Sequence, residues 1–124
     1  MAHIGNTSIS VSPIADGFQF TVRYEALFSP EEVQSASEFA DSLAIMEDDR
    51  GARFGGSDDL IQNEPIRSFF ADSLLMDRQW VVRISRNKLD TEAGGEEIYA
   101  VVHFRPVDAT QSQTKETARI DLAP

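Results

Sequence analysis

Cysteine is absent from the 124 residues, so neither a disulfide nor a thiolate metal site can form. Histidine is almost absent too. His3 lies near the start of the chain, and His103 sits in an alternating run on the side opposite its apolar neighbours. No apolar run approaches the ~18 residues of a membrane span, and the first thirty residues lack a basic segment followed by an apolar one. A cytoplasmic location is therefore expected. Positive charge is scarce as well: 11 Lys and Arg against 21 Asp and Glu leave a formal charge of −10. Such a body repels phosphate backbones and anionic lipid, so neither nucleic acid nor membrane is an expected partner. The densest basic stretch, Arg78, Arg83, Arg86 and Lys88, is broken by apolar residues and reads as a solvated strand face.

Catalytic signatures are missing in the same way. No serine sits in a nucleophile elbow, and Gly55-Gly56-Ser57 is followed by two aspartates that would repel a phosphate. The expectation is a protein that is not an enzyme. Forty-one per cent hydrophobic residues are nevertheless too many for a disordered acidic chain. At roughly 150 residues per domain, residues 1–124 form one unit able to bury about two-thirds of its extended surface.

What is present is period two. Phe18, Phe20, Val22, Tyr24, Ala26 and Phe28 alternate with mostly polar residues, the pattern of a long strand with one buried face. Ile9 and Val11 alternate with serines before it, and Ala15-Asp16-Gly17 supplies a hairpin turn. Pro13 removes a ladder donor, which points to the first strand being an edge strand or ending near that residue. Ser29-Pro30-Glu31-Glu32 is a helix start with the residues of a capping box. Beyond it, 38–46 fits either a helical stripe or a strand. Phe39, Asp41, Leu43 and Ile45, with one polar intruder, favour a strand after a single helical turn, as does the lack of a closing cap.

Residues 47–59 read as a long acidic, glycine-rich loop, and 60–76 as a short strand plus a connection. Trp80, Val82 and Ile84, then Ile98, Ala100, Val102 and Phe104, read as a second hairpin turning at Gly94-Gly95. Pro106 ends that hairpin, a polar loop follows, and 117–122 forms a last strand. The fold class that follows is all-β, an antiparallel sandwich of immunoglobulin-like architecture with a helical turn near 30–34. The competing reading is α+β, with a helix over 30–46 packed on an antiparallel sheet.

Two candidate sites emerge. Glu47, Asp48, Asp49, Asp58 and Asp59 can bring several carboxylate oxygens together, the ligand type calcium requires, though without EF-hand spacing. Calcium is the one cofactor to be weighed. Val81, Tyr99 and Val101 lie out of phase with the inward residues, and with His103 they define an apolar outer patch. Either 30–46 of the same chain or a second subunit could cover that patch. The function expected is a structural or protein-interaction module that self-associates as a homo-oligomer. A calcium-responsive module, and a barrel holding a small ligand among Phe18, Phe20 and Trp80, are the competing readings.

Overall fold

A computed structural model describes residues 2–48, 58–89 and 96–122. Its strands are β1 (His3–Ile14), β2 (Gly17–Leu27), β3 (Glu38–Glu47), β4 (Asp59–Phe70), β5 (Leu75–Ser85), β6 (Glu96–Pro106), β7 (Gln113–Glu116) and β8 (Ile120–Leu122). Two short helices, α1 (Pro30–Gln34) and α2 (Arg86–Leu89), join strands. The strands form two antiparallel sheets, ordered β1-β2-β5 and β4-β3-β6-β7, with β8 also paired to β6. The sheets pack face to face as a β-sandwich. Its core is the set of inward residues read from the alternation: Phe20, Val22, Tyr24, Ala26 and Phe28 from β2 and just beyond it, against Phe39, Leu43, Ile45, Ile98, Val102 and Phe104 from the second sheet.

The first hairpin forms as expected, with β1 at an edge and Pro13 tolerated there. Gly17 begins β2 for want of space, since a Cβ there would come within 2.1 Å of the Ile84 carbonyl oxygen. Ser29 and Glu32 make the capping box, Glu32 Oε1 accepting from Ser29 N at 2.8 Å. The helix also closes with a cap. Ser37 N donates to Glu32 O and Ala36 N to Val33 O, the paired bonds of a Schellman motif, with Ala36 at φ 47° where glycine is usual. The chain then enters β3, so 38–46 is strand and the 30–46 helix does not form.

Four readings need correction. First, β5 and β6 are not a hairpin: β5 pairs with β2 and β6 with β3, so they belong to opposite sheets. Ten residues, 86–95, separate them, too many for the two- to five-residue turns that fix a hairpin, and α2 occupies the first of them. Gly94 and Gly95 lie outside the described residues. Second, 60–70 belongs to a full-length edge strand. Its alternation is hidden because register shifts opposite Ser42, where Pro65 and Ile66 are extra, and again at Ile61. Third, Glu47 and Asp59 are not loop residues but pair across the ends of β3 and β4. Fourth, the stretch read as a polar loop contains β7, whose residues are all exposed and carry no apolar period, while the last strand starts only at Ile120. The immunoglobulin expectation also meets a difference, because β4 lies beside β3 and not beside β5, where the constant-type arrangement would set it.

Candidate interaction surface

Asp48 and Asp58 of the acidic stretch and Tyr99 of the outer patch are brought together at one end of the second sheet. Thr117 N donates to Ala100 O and Ala100 N to Thr117 Oγ1, which carries the link between β7 and β8 along β6 and delivers Arg119 to the outer face. Arg119 Nε donates to Asp48 Oδ2 at 2.9 Å, and its Nη1 donates to Glu116 Oε1 at 2.9 Å. Its guanidinium lies 3.8 Å over the Tyr99 ring. The Tyr99 hydroxyl in turn donates to Asp58. Burial, then the bond to Asp58 and that residue's charge, pushes the phenol from 10.0 up to about 12. The bonds to Asp48 and Glu116 hold Arg119 still more firmly charged.

Chemically this is an acidic cluster whose carboxylates are already engaged within the chain, three of them sharing one cation and one phenol. Asp48 is engaged by a cation from its own chain and Asp58 by a phenol, so a calcium ion would have to displace both. Among the described residues, no group of three or more acidic or histidine side chains has the geometry to hold a metal. Asp49 lies outside the described residues, while Asp59 is exposed at the start of β4.

The outer patch is divided. Val81 projects from the outer face of the first sheet, and Tyr99, Val101 and His103 belong to the outer face of the second, so the four do not form one surface. The cause is the absence of the β5–β6 hairpin. Tyr99 is only 4% exposed, covered by Arg119 and not by 30–46, whose strand part, β3, lies beside β6 in the same sheet. Val101 and His103 are half-buried opposite Ala44 and Ser42. The small residues Ala40 and Ser42 floor a depression of about 340 Å³ walled by Asn63, Glu64, His103 and Arg105. Phe20 and Trp80, named for a ligand cavity, are instead packed in the core, and Phe18 lies beneath Arg86.

A polar centre inside the sandwich was not read as a site. Asp41 enters the core in phase with Phe39 and Leu43, and its side chain is wholly buried. It accepts from Tyr24 Oη at 2.6 Å, from Arg67 Nε and Nη2 at 2.8 Å each, and from Arg78 Nε at 3.2 Å. Arg67 stacks 4.0 Å over Trp80 and Arg78 lies 3.8 Å over Phe69. One carboxylate thus joins β2, β3, β4 and β5. Burial, then the charge of Asp41 and its hydrogen bond, drives the Tyr24 phenol well above the ordinary tyrosine range. The signal was the polar intruder in an apolar run. Its arginine partners are remote in sequence.

Exposed apolar residues gather elsewhere. Of the eight large hydrophobics exposed among the described residues, six fall between Leu60 and Val81: Leu60, Ile66, Phe70, Leu74, Leu75 and Val81. They belong to β4, β5 and their connection, which together form one flank of the sandwich, bridged by Arg67 Nη1 donating to Gln79 O at 2.9 Å. No known family's sequence model matches this chain, and no curated protein is similar to it. No helix among the described residues is long and apolar enough to cross a membrane.

Proposed function

We propose that this protein is a non-catalytic protein-interaction module that self-associates, and that its contact surface is the β4–β5 flank. The supporting observation is the concentration of exposed apolar side chains there, with Ile66 at 66% and Phe70 at 58% exposure, while the other outer surfaces are largely polar. Large side chains of this kind scattered singly need no explanation, but five on the edge strands β4 and β5 and a sixth, Leu74, in the connection between them do. Val81 carries over from the outer patch read in the sequence. Tyr99 does not, because Tyr99→Asp would disrupt a packed internal contact before it altered a surface.

Sedimentation velocity at micromolar to tens of micromolar protein tests the reading. The expected result is a species heavier than the 13.8 kDa chain, shifted toward monomer by Phe70→Lys combined with Val81→Lys. Both positions face solvent, so the circular-dichroism melt should stay close to wild type. A wild-type protein that remains monomeric throughout refutes the proposal.

A further inference from the structure

The strands at the sheet edges, β1 and β5 in one sheet and β4, β7 and the three-residue β8 in the other, are unequally guarded. β1 is laced to β7 by Thr7 Oγ1 donating to Glu116 O, Lys115 Nζ to Gly5 O and Gln113 Nε2 to Ala2 O, and it carries Pro13. β7 is only four residues long. β4 has Pro65 and two register shifts. Each of these is a recognised device against edge-to-edge pairing. β5 has only one such guard, the single bond from Arg67 Nη1 to Gln79 O. It runs eleven residues in unbroken register from Leu75 to Ser85, with no proline and no bulge.

The direction of its free hydrogen-bonding groups can be read from its neighbours. Phe28 N donates to Leu74 O, and Arg86 N to Asp16 O, both in the β2–β5 register, so even-numbered residues of β5 turn their backbone groups toward β2. The odd-numbered residues turn theirs outward. The Arg67 bond to Gln79 O, arriving from β4, agrees. Along that same odd set lie Asp77 and Arg83, both exposed on the outer face. Asp77 stands opposite Glu25 on β2, a like-charge pair, and no cation among the described residues bonds it.

We infer that β5 pairs antiparallel with β5 of a second copy of this chain, about a two-fold axis at Trp80. This rests on the self-association reading and specifies its geometry. In that register Gln79 meets Val81 of the second copy as a hydrogen-bonded pair, and Asp77 meets Arg83 of the second copy, twice by symmetry. Arg67 uses one of the two lone pairs of the Gln79 carbonyl, leaving the other for the Val81 N–H of the second copy. A shift of two residues in either direction sets Asp77 opposite Val81 or Ser85 and loses both charge pairs. The charges therefore select the register.

Sedimentation velocity of charge-reversed variants tests it. Asp77→Arg and Arg83→Asp should each weaken the dimer about tenfold or more, because each turns two attractive pairs into two repulsive ones, and the double variant should recover it. A second arm uses the absence of native cysteine. Gln79→Cys and Val81→Cys, mixed and mildly oxidised, should give a covalent dimer that neither gives alone, since hydrogen-bonded partners lie about 5.5 Å apart at Cα, within disulfide range. A dimer indifferent to both reversals but broken by Ile66→Lys with Phe70→Lys overturns this geometry and leaves self-association standing. A monomeric wild type overturns both.

Discussion

Asp41→Ala should be the most destabilising small change in this protein that leaves the hydrophobic core intact. The carboxylate is wholly buried and accepts from one tyrosine and two arginines, so its removal strands a phenol and two guanidinium groups together. Removing one partner of a buried ion pair costs about 3–5 kcal/mol. Here Arg67 and Arg78 keep 33% and 20% of their side chains exposed, so both recover some hydration and the lower figure, about 3 kcal/mol, applies. An unfolding entropy of about 2.1 cal/mol/K per residue over 124 residues turns that into a fall in Tm of about 11 °C. Urea denaturation with an unchanged m-value is the assay, run as a cycle with Tyr24→Phe. Tyr24→Phe alone should cost about 1.5 kcal/mol, the value of a hydrogen bond to a charged acceptor. In the Asp41→Ala background it should cost nearly nothing, since the hydroxyl has already lost its partner, giving a coupling of about 1–2 kcal/mol. A loss below about 1 kcal/mol for Asp41→Ala, or the absence of coupling, would show that the carboxylate does not hold the sheets together.

Three further outcomes follow from the structure. Tyr99 and Tyr24, the only two tyrosines, both have phenol pKa values raised on folding, so the stability they contribute is fully present below pH 10; Tyr99's share is lost as pH rises through about 12 and Tyr24's continues to fall at still more alkaline pH. Phenolate absorbance should stay low in the folded protein above pH 10 and appear together with unfolding; early titration of both rings would contradict the burial of their hydroxyls. Gly17→Ala should destabilise by about 2 kcal/mol or more, because the new methyl meets backbone of β5 that has no rotamer by which to yield, and a melt unchanged from wild type would refute that close approach. Excess calcium against chelator should leave the melting temperature unchanged, because Arg119 and Tyr99 already engage Asp48 and Asp58; a rise with the logarithm of calcium concentration would show that the ion displaces them.

Strands that face the core on one side throughout were legible in the sequence, because an uninterrupted period of two needs no knowledge of partners. β2 and β6 are the cases, and the capping box of α1 was as plain. Elsewhere the local signal was overwritten. β4 changes phase at Pro65 and Ile66, so no single template covers Ile61, Ile66 and Phe69. The end of α1 was obscured because alanine fills the left-handed position that glycine normally marks. Strand pairing was the larger loss: alternation says which face of β5 is buried but not whether β2 or β6 lies beside it, and joining β5 to β6 produced a surface that does not exist. The candidate acidic site fared similarly. Asp48 and Asp58 share one network through Arg119 and Tyr99, but Arg119 reaches Asp48 across 71 positions, a contact that composition cannot show.

The two flanks of the sandwich are closed by different physics, and that difference decides where a second molecule can add. On the β1–β7 side, backbone carbonyls of one sheet accept from side chains of the other, so the edges are already partnered. On the β4–β5 side the closure is a fork of arginines over aromatic rings, anchored on Asp41 and reaching the edge of β5 at one carbonyl only. Such a closure works from inside the sandwich. It holds the sheets together while engaging only the Gln79 carbonyl among the outward backbone groups of β5, which leaves a regular strand edge beside exposed leucine, isoleucine and phenylalanine. Stability of the monomer and availability of the edge are thereby separable: loss of Asp41 should lower Tm and loosen the edge together, whereas changes at Asp77 and Arg83 should alter association alone.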